Sequence, residues 1–186
     1  MKEGTRLSAR AEVLDGTDRG AIQGLAGFVV PPKEYFPMVA EIMRKYGEVF
    51  ISYEVQTGFG RKGGKWFGIE HWGVEPDMMT AAKGLANGLP IGATIARPEI
   101  ADALKGLTIS TFGGNPVTAV ASKTTIDFIE SERLLENSEV VGSYLHDGLK
   151  ELQRKYPVIG DVCGIGLMQD IELVKIGTQD SPQPRK

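Results

Sequence analysis

The alternation of apolar and polar positions divides most of the chain into helices and buried strands. Apolar residues between Tyr35 and Tyr46 recur at spacings of three and four, which places them on one face of a helix. Gly47 is a suitable left-handed residue to end that helix. The next stretch, Glu48 to Val55, is too uniformly apolar for a strand with an exposed face, so it predicts a buried parallel strand.

Strands and helices continue to alternate beyond Val55. Apolar runs predict strands over 76–84 and 90–98, with the glycine-rich turn "KGLANGLP" between them. A proline at the start and a glycine at the end predict a short helix over 98–106. This order of elements predicts an α/β fold, in which ligands bind beyond the carboxyl ends of the strands.

The second half of the chain predicts two longer helices and a group of short strands. One helix begins with Asn115 as its cap and Pro116 in its first turn. An apolar stripe predicts the other helix from Leu134 to Tyr156. The glycine-containing segment 158–174 predicts short strands around tight turns.

Composition narrows the class of protein. The 186 residues carry a net charge of −3 without a basic cluster, which argues against nucleic acid as a partner. Cys163 is the only cysteine and His71 and His146 are the only histidines, so neither a disulfide nor a metal site is expected. No apolar run is long enough to span a membrane, and the polar ends predict a loose leader over 1–21 and a disordered tail over 176–186. A cytoplasmic globular protein is expected.

Polar side chains that follow two predicted strands are candidates for a site. Tyr53, Glu54 and Gln56 end one strand, and Lys83 ends the next. A lysine after the apolar run "MMTAA" is unusual, because its ammonium would have to lie at a buried strand end. Burial lowers the pKa of a lysine and frees its amine to form an imine with an aldehyde. The alternative is a lysine that extends to the surface, and spacing alone favours this alternative by about two to one.

A resemblance to a known family rests on two motifs. The first is "EVQTGFGRKGGKWFGIEHWGVEPDMMTAAKGLANGLPIGATIA", and the second is "STFGGNP". From about Ile22 to Val174 the chain resembles the class III pyridoxal-phosphate aminotransferases, the ornithine, 4-aminobutyrate and alanine-glyoxylate group. The resemblance implies part of a fold type I large domain with a mostly parallel sheet over 22–130, and the start of the small carboxyl-terminal domain over 131–175. It also implies pyridoxal 5'-phosphate as cofactor, an amino acid or amine as donor, a 2-oxo acid as acceptor, and a homodimer.

The same resemblance implies roles for three residues. Lys83 matches the lysine that holds the cofactor as an imine and then moves a proton between substrate and cofactor. Gln56 matches a glutamine beside the ring hydroxyl of the cofactor, although an amide in this position could instead cap a loop. Thr111 matches a threonine that reaches the cofactor phosphate of the partner subunit, whereas by itself it would be taken for a turn residue.

Tyr53 departs from the family pattern. Similar proteins have an aspartate here, whose carboxylate pairs with the protonated pyridine nitrogen of the cofactor. A phenol has a pKa of about 10, so near neutrality Tyr53 is uncharged, and it is also bulkier than a carboxylate. If Tyr53 points into the pocket, weaker cofactor binding or an unprotonated ring would lower transamination. Glu54 faces the opposite side of the strand, and we expect it to support the site from beneath.

Family proteins are longer than this chain. The resemblance implies that the phosphate-binding turn, a residue stacked on the ring and the substrate-binding arginine lie in segments that are absent here. Arg61 could contact an acidic group, but a surface position is more ordinary, and Cys163 is interpreted as a packed side chain. Three functions therefore stay open: a working aminotransferase, a cofactor-binding remnant impaired by Tyr53, and a non-catalytic fragment that needs a partner to cover its sheet edges.

Overall fold

The computed structural model describes residues 28–106 and 109–175, so the expected leader over 1–21 and tail over 176–186 lie outside the described part. Along the chain the helices and strands are α1 (Tyr35–Lys45), β1 (Ile51–Tyr53), β2 (Met78–Ala81), β3 (Ala93–Ala96), α2 (Pro98–Ala101), α3 (Pro116–Ser131), α4 (Leu134–Lys155), β4 (Ile159–Ile165) and β5 (Met168–Leu173). Two short 3-10 helices, Gly68–Trp72 and Lys83–Ala86, precede and follow β2. The predicted α/β alternation is confirmed.

The first sheet has the order β1-β2-β3. β1 and β2 are parallel, with Tyr53 opposite Thr80, while β2 and β3 are antiparallel, with Met78 opposite Ala96. The described strands therefore form a mixed sheet where a mostly parallel one was expected. The chain returns from β2 to β3 through the Lys83–Ala86 turn, and antiparallel neighbours need no crossover helix.

α1 packs against the residue that precedes β1 and against the first 3-10 helix. Ala40 of α1 is buried with Phe50 and Ile69, and the Phe36 ring packs edge-on against Trp72 with centroids 5.0 Å apart. The chain turns after α1 at Gly47, whose φ of +70° is the left-handed conformation that the sequence predicted. The predicted apolar face of α1 is only partly covered by the described residues. Its exposed members are Tyr35, Met38, Ile42 and Tyr46.

The second half contains the two long helices and a strand pair. Asn115 caps α3 as predicted, since its Oδ1 accepts a hydrogen bond from the Thr118 backbone N–H at 3.0 Å. α4 begins at Leu134 as predicted and packs against α3, β4 and β5. β4 and β5 pair antiparallel, with Val162 opposite Ile171. The junction at 132–133 separates α3 from α4, and the division into domains over 22–130 and 131–175 stays a prediction.

Several predicted elements are shorter than expected. The strand predicted over Glu48 to Val55 is reduced to β1, because pairing with β2 ends at Tyr53 and the chain then turns. The helix predicted over 98–106 ends at Ala101, and none of its residues is buried. α2 therefore lacks the tertiary packing that stabilises most helices in proteins, and it stays short.

A glycine-rich segment over 58–67, the glycine loop, leads from β1 to the first 3-10 helix and lies against α4. The Gly64 backbone N–H donates to Leu135 O at 2.9 Å, and the Ser138 hydroxyl donates to Gly60 O at 2.5 Å. A β-carbon on Gly166, in the β4–β5 turn, would overlap the backbone at Lys62. The glycine loop thus lies in direct backbone contact with α4 and with the β4–β5 turn.

Candidate active site

An open cleft of about 420 Å³ lies where the end of β1, the start of the Lys83–Ala86 helix and the β4–β5 turn meet. Pockets of about 300–1,000 Å³ are typical of small-molecule sites. The cleft lies at the carboxyl ends of β1 and β2, the edge that the order of elements predicted. Its lining residues are Phe28, Val55, Gln56, Arg61, Lys83, Leu167 and Met168.

Lys83 follows β2 and lines this cleft. Its φ of +47° is in the left-handed region, which is uncommon for a residue other than glycine. The side chain is exposed, as the spacing in the sequence favoured, and its amine is not buried at the strand end. The physical reason is that the chain turns at Lys83, where it leaves β2, so that the side chain lies in an open cleft. Its amine is accessible to a small molecule in that cleft.

The other predicted site residues separate into two groups. Gln56 lines the cleft together with Lys83, although β1 and the helix at Lys83 belong to different segments. Tyr53 is half-buried in β1, and Thr111 is exposed beside α3. Among the described residues, neither of these two is part of the cleft lining. Only Gln56 and Lys83 of the predicted set are therefore brought together.

Arg61 is exposed, as the sequence favoured, and it also lines the cleft. Its backbone O accepts a hydrogen bond from the Leu167 N–H at 2.8 Å, which ties it to the β4–β5 turn. Its guanidinium lies beside Gly84, because a β-carbon there would be 2.9 Å from Arg61 Nη2. The cleft thus contains a guanidinium next to the residue that follows Lys83, and this group suits a carboxylate or phosphate.

Glu54 directly precedes the cleft residues Val55 and Gln56 and is completely buried. Its carboxylate accepts hydrogen bonds from the backbone N–H groups of Gly68 and Ile69, each at 2.8 Å. It also accepts from the hydroxyls of Ser52, at 3.0 Å, and Thr57. Four donors satisfy this buried charge and fasten β1 to the first 3-10 helix, which agrees with the supporting role expected from the sequence.

Lys62 is a buried lysine near Glu54, and no pattern in the sequence singled it out. Its side chain is 2% exposed, and its Nζ lies 5.4 Å from the centroid of the Trp72 ring. Burial lowers the pKa of Lys62 to about 7, against an opposing effect of Glu54. Burial also lowers the pKa of His71, and the charges of Lys62 and Lys65 add to that effect.

The chemistry of the cleft fits pyridoxal 5'-phosphate. An exposed amine can bind an aldehyde, an amide can donate to a ring hydroxyl oxygen, and a guanidinium can bind an anionic group. Lys83, Gln56 and Arg61 supply these groups, and the remaining walls are mainly apolar. The apolar walls suit an aromatic ring.

Three residues of the cleft had no signal in the sequence. Leu167 and Met168 come from the β4–β5 turn, and Phe28 precedes α1. Their side chains are ordinary apolar residues, and only the packing of the glycine loop against the turn brings two of them to Lys83. Within the described residues no group of three or more metal-ligating side chains is present, and no helix there is long and apolar enough to cross a membrane.

Comparison with known proteins shows the family of the chain. Residues 20–183 match the family model of the class III aminotransferases. The chain belongs to the class III aminotransferase family. It is 48% identical over 155 residues to the leucine/methionine racemase of Thermococcus litoralis, covering 83% of this chain and 35% of that protein. It is 41% identical over 184 residues to the human mitochondrial alanine–glyoxylate aminotransferase 2, covering 98% of this chain and 36% of that protein.

The solved structures of transaminases show the same fold. A thermostable (S)-enantioselective omega-transaminase from Thermomicrobium roseum matches with a TM-score of 0.78 and 40% sequence identity. The match covers 83% of this chain and 36% of that structure. The described elements are therefore part of a fold type I transaminase domain, and the class III chain spans about a third of the length of these relatives.

Proposed function

We propose that this class III chain carries the cofactor-binding lysine of a pyridoxal 5'-phosphate-dependent aminotransferase. The observation that carries the proposal is the cleft in which the Lys83 amine lies with the Gln56 amide and the Arg61 guanidinium. Family membership supports it, since the matched region contains all three residues. We propose that the donor is an amino acid or amine and the acceptor a 2-oxo acid.

The residues of the cleft have distinct proposed roles. When bound, pyridoxal phosphate supplies an electron-withdrawing ring that takes up the electron pair left at the substrate Cα. Lys83 would hold the cofactor aldehyde through its amine, and its free amine would carry a proton between the substrate Cα and the cofactor. Gln56 donates a hydrogen bond to the ring hydroxyl oxygen. Arg61 attracts an anionic group into the cleft.

Two further residues complete the proposed cofactor site. Tyr53 occupies the position that the family resemblance assigns to the counter-ion of the ring nitrogen, and its uncharged phenol makes that pairing weak. Thr111 binds the cofactor phosphate of a partner subunit in a homodimer, for which its exposure is suitable. A cytoplasmic location is also part of the proposal, on the composition of the chain alone.

An absorbance titration with pyridoxal phosphate tests the proposal. We expect a visible imine band that is lost in Lys83→Ala and retained in Lys105→Ala, which removes another exposed lysine. A band of equal intensity in both variants would mean that the aldehyde reacts with surface lysines, and the proposal would fail. Absence of a band in the unchanged chain would contradict it as well.

The assay of activity should follow two reactions. The names of similar proteins include aminotransferases and racemases, as in the human and Thermococcus proteins. Amino transfer to a 2-oxo acid and racemisation of an amino acid should therefore be measured side by side. We expect amino transfer to depend on Lys83. Racemisation without any amino transfer would replace the proposed reaction by a second one at the same cleft.

A further inference from the structure

The glycine loop fastens two sides of the cleft to each other. Arg61, in the loop, and Leu167, in the β4–β5 turn, both line the cleft and share a backbone hydrogen bond of 2.8 Å. Further bonds of the loop run from Gly64 to α4 and from Ser138 of α4 to Gly60. Any movement of the loop away from α4 and the turn would therefore break several bonds together and change the shape of the cleft.

Lys62 is a loop residue whose backbone lies against Gly166 of the turn and whose side chain is enclosed on the other side by the first 3-10 helix. It is 2% exposed, and among the described residues its Nζ has no hydrogen-bond partner. Gly68 packs directly on it, since a β-carbon there would be 2.9 Å from Lys62 Cε. On another side lies the Trp72 ring, 5.4 Å from Nζ. A neutral amine is tolerated in such a place, whereas an ammonium without hydrogen bonds is costly.

The charges around Lys62 do not provide it with an ion pair. Glu54 attracts it, but the Glu54 carboxylate already accepts four other hydrogen bonds. Around the adjacent His71, whose pKa the charge of Lys62 helps to lower, lie Lys65 of the loop, Glu70 of the first 3-10 helix and Glu139 of α4. The turn over 164–169 has no titratable side chain. His71 Nε2 is likewise buried without a partner among the described residues, and an imidazole carries no negative charge that could pair with an ammonium.

We propose that Lys62 is a positioning residue that makes the closure of the cleft depend on pH. The glycine loop stays against α4 and the β4–β5 turn while the Lys62 amine is uncharged. Protonation of that amine releases the loop, because the ammonium gains hydrogen bonds to water only when the loop opens. Arg61 then separates from Leu167, and the cleft loses part of its lining. This proposal concerns the fold of the loop and does not depend on the reaction that the cleft performs.

The direction of the effect follows from proton binding. Burial lowers the pKa of Lys62 from 10.5 to about 7, and an opened loop restores the ordinary value. Between these values the open form binds more protons than the closed form, so opening becomes more favourable as the pH falls. Within that window each pH unit changes the ratio of open to closed loop by up to about tenfold.

Amide hydrogen exchange by NMR tests the proposal on the unmodified chain. The probes are the Gly64 and Leu167 amides, which donate the bonds of the loop to α4 and of the turn to the loop. The reference is the Glu54 amide, bonded to Thr80 O at 2.8 Å in the first sheet. After correction for the intrinsic rate, we expect loop protection below that of the reference and a fall of about tenfold between pH 9 and pH 8.

Three variants distinguish the effect of the Lys62 charge from that of other groups in the loop. Lys62→Met removes the charge at similar length, so protection should become independent of pH. Lys62→Arg stays charged at every accessible pH, so the loop should be open throughout. Lys65→Met removes an exposed lysine of the same loop and should keep the pH dependence of the unchanged chain.

Two results would overturn the proposal. One is an equal pH dependence in Lys62→Met and in the unchanged chain, which would assign the titration to another group. The other is identical protection of the loop and reference amides at every pH, because Lys62 would then be exposed only by global unfolding. Neither result bears on the imine band of Lys83, so this proposal and the proposed function can fail separately.

Discussion

At the scale of single residues, neighbouring positions at the end of β1 have opposite environments. Tyr53 is half-buried, while Glu54 is fully buried and accepts four hydrogen bonds. Their side chains face opposite sides of the strand, since successive strand residues alternate. We therefore expect a change at Tyr53 to alter binding of the proposed cofactor, and a change at Glu54 to alter the stability of the fold.

Replacing Tyr53 by aspartate should strengthen cofactor binding. A carboxylate would pair with a protonated ring nitrogen, and such charge-assisted bonds contribute about 1.5–3 kcal/mol, or roughly a tenfold to hundredfold tighter dissociation constant. Titration of the imine band measures the constant. Tyr53→Asn is the control of similar size without charge. An equal gain in cofactor affinity in both variants would mean that Tyr53 weakens binding through its bulk. No gain in either variant would mean that Tyr53 does not contact the cofactor.

Replacing Glu54 by glutamine should destabilise the fold. The NH₂ of the new side chain would point at N–H or O–H groups that now donate to the carboxylate. Buried donors would be left unsatisfied, and the free energy of unfolding would fall by about 2–4 kcal/mol. Urea denaturation measures the free energy of unfolding. Glu70→Gln is the control, because Glu70 is exposed and accepts one backbone hydrogen bond from Phe67. A loss no larger than that of the control would contradict the role of Glu54.

Lys62 should make the stability of the whole chain depend on pH. Its pKa is about 7 when folded and 10.5 in the ordinary state, so the unfolded chain binds more protons between these values. The free energy of unfolding should rise with pH across this window by an amount on the order of a few kcal/mol. Thermal denaturation between pH 7 and pH 9.5 measures it. In Lys62→Met the rise should disappear, and a flat profile in the unchanged chain would contradict the expectation.

At the scale of elements, α4 packs through its smallest residues. Ser138 and Gly142 are the buried members of α4, while the larger residues of its predicted stripe, such as Val141 and Leu145, are exposed to a greater degree. The backbone of the β4–β5 turn comes so close to Gly142 that a side chain there would overlap Gly166. Close backbone approach therefore determines which face of α4 is buried.

A pair of glycine substitutions in α4 tests this packing. Gly142→Ala should lower the free energy of unfolding by about 1–3 kcal/mol, because the added methyl group forces the turn away from the helix. Gly148→Ala lies on the same helix with open space around it and should raise the free energy of unfolding by up to about 1 kcal/mol. Chemical denaturation of both variants measures the difference. Equal effects at the two positions would mean that α4 does not approach the turn so closely.

At the scale of the whole molecule, the described part exposes much apolar surface. The larger exposed residues include Met38 and Ile42 of α1, Ile109 and Phe112 before α3, Val120 and Phe128 of α3, and Tyr144 of α4. Proteins that are monomeric rarely expose contiguous apolar patches of large area. We therefore expect this chain to associate with itself when it is studied alone.

Size-exclusion chromatography with light scattering measures that association. The apparent mass should rise with concentration, and Val120→Lys should reduce the rise by removing apolar area and adding charge. Asn137→Lys adds the same charge at an exposed polar position of α4 and should change little. A single monomer peak at every concentration, together with a cooperative melting transition, would contradict the expectation and weaken the interpretation as a fragment that needs a partner.

The sequence by itself determined the local features. Periodicity and caps predicted α1, α3 and α4 with nearly correct bounds, because these depend on residues close together in the chain, such as Asn115 and Gly47. Motif resemblance identified the family, and the order of strands predicted the edge at which Gln56 and Lys83 meet.

Only the tertiary structure decided the rest. The position of Arg61 in the cleft and the contribution of Leu167 both depend on the approach of the glycine loop to the β4–β5 turn, about a hundred residues later. The burial of Lys62 also depends on tertiary contacts, since Gly68 and Trp72 pack on its side chain and Gly166 lies against its backbone. Contacts between distant segments leave no periodic signal in a sequence, because each residue's type is compatible with many neighbours.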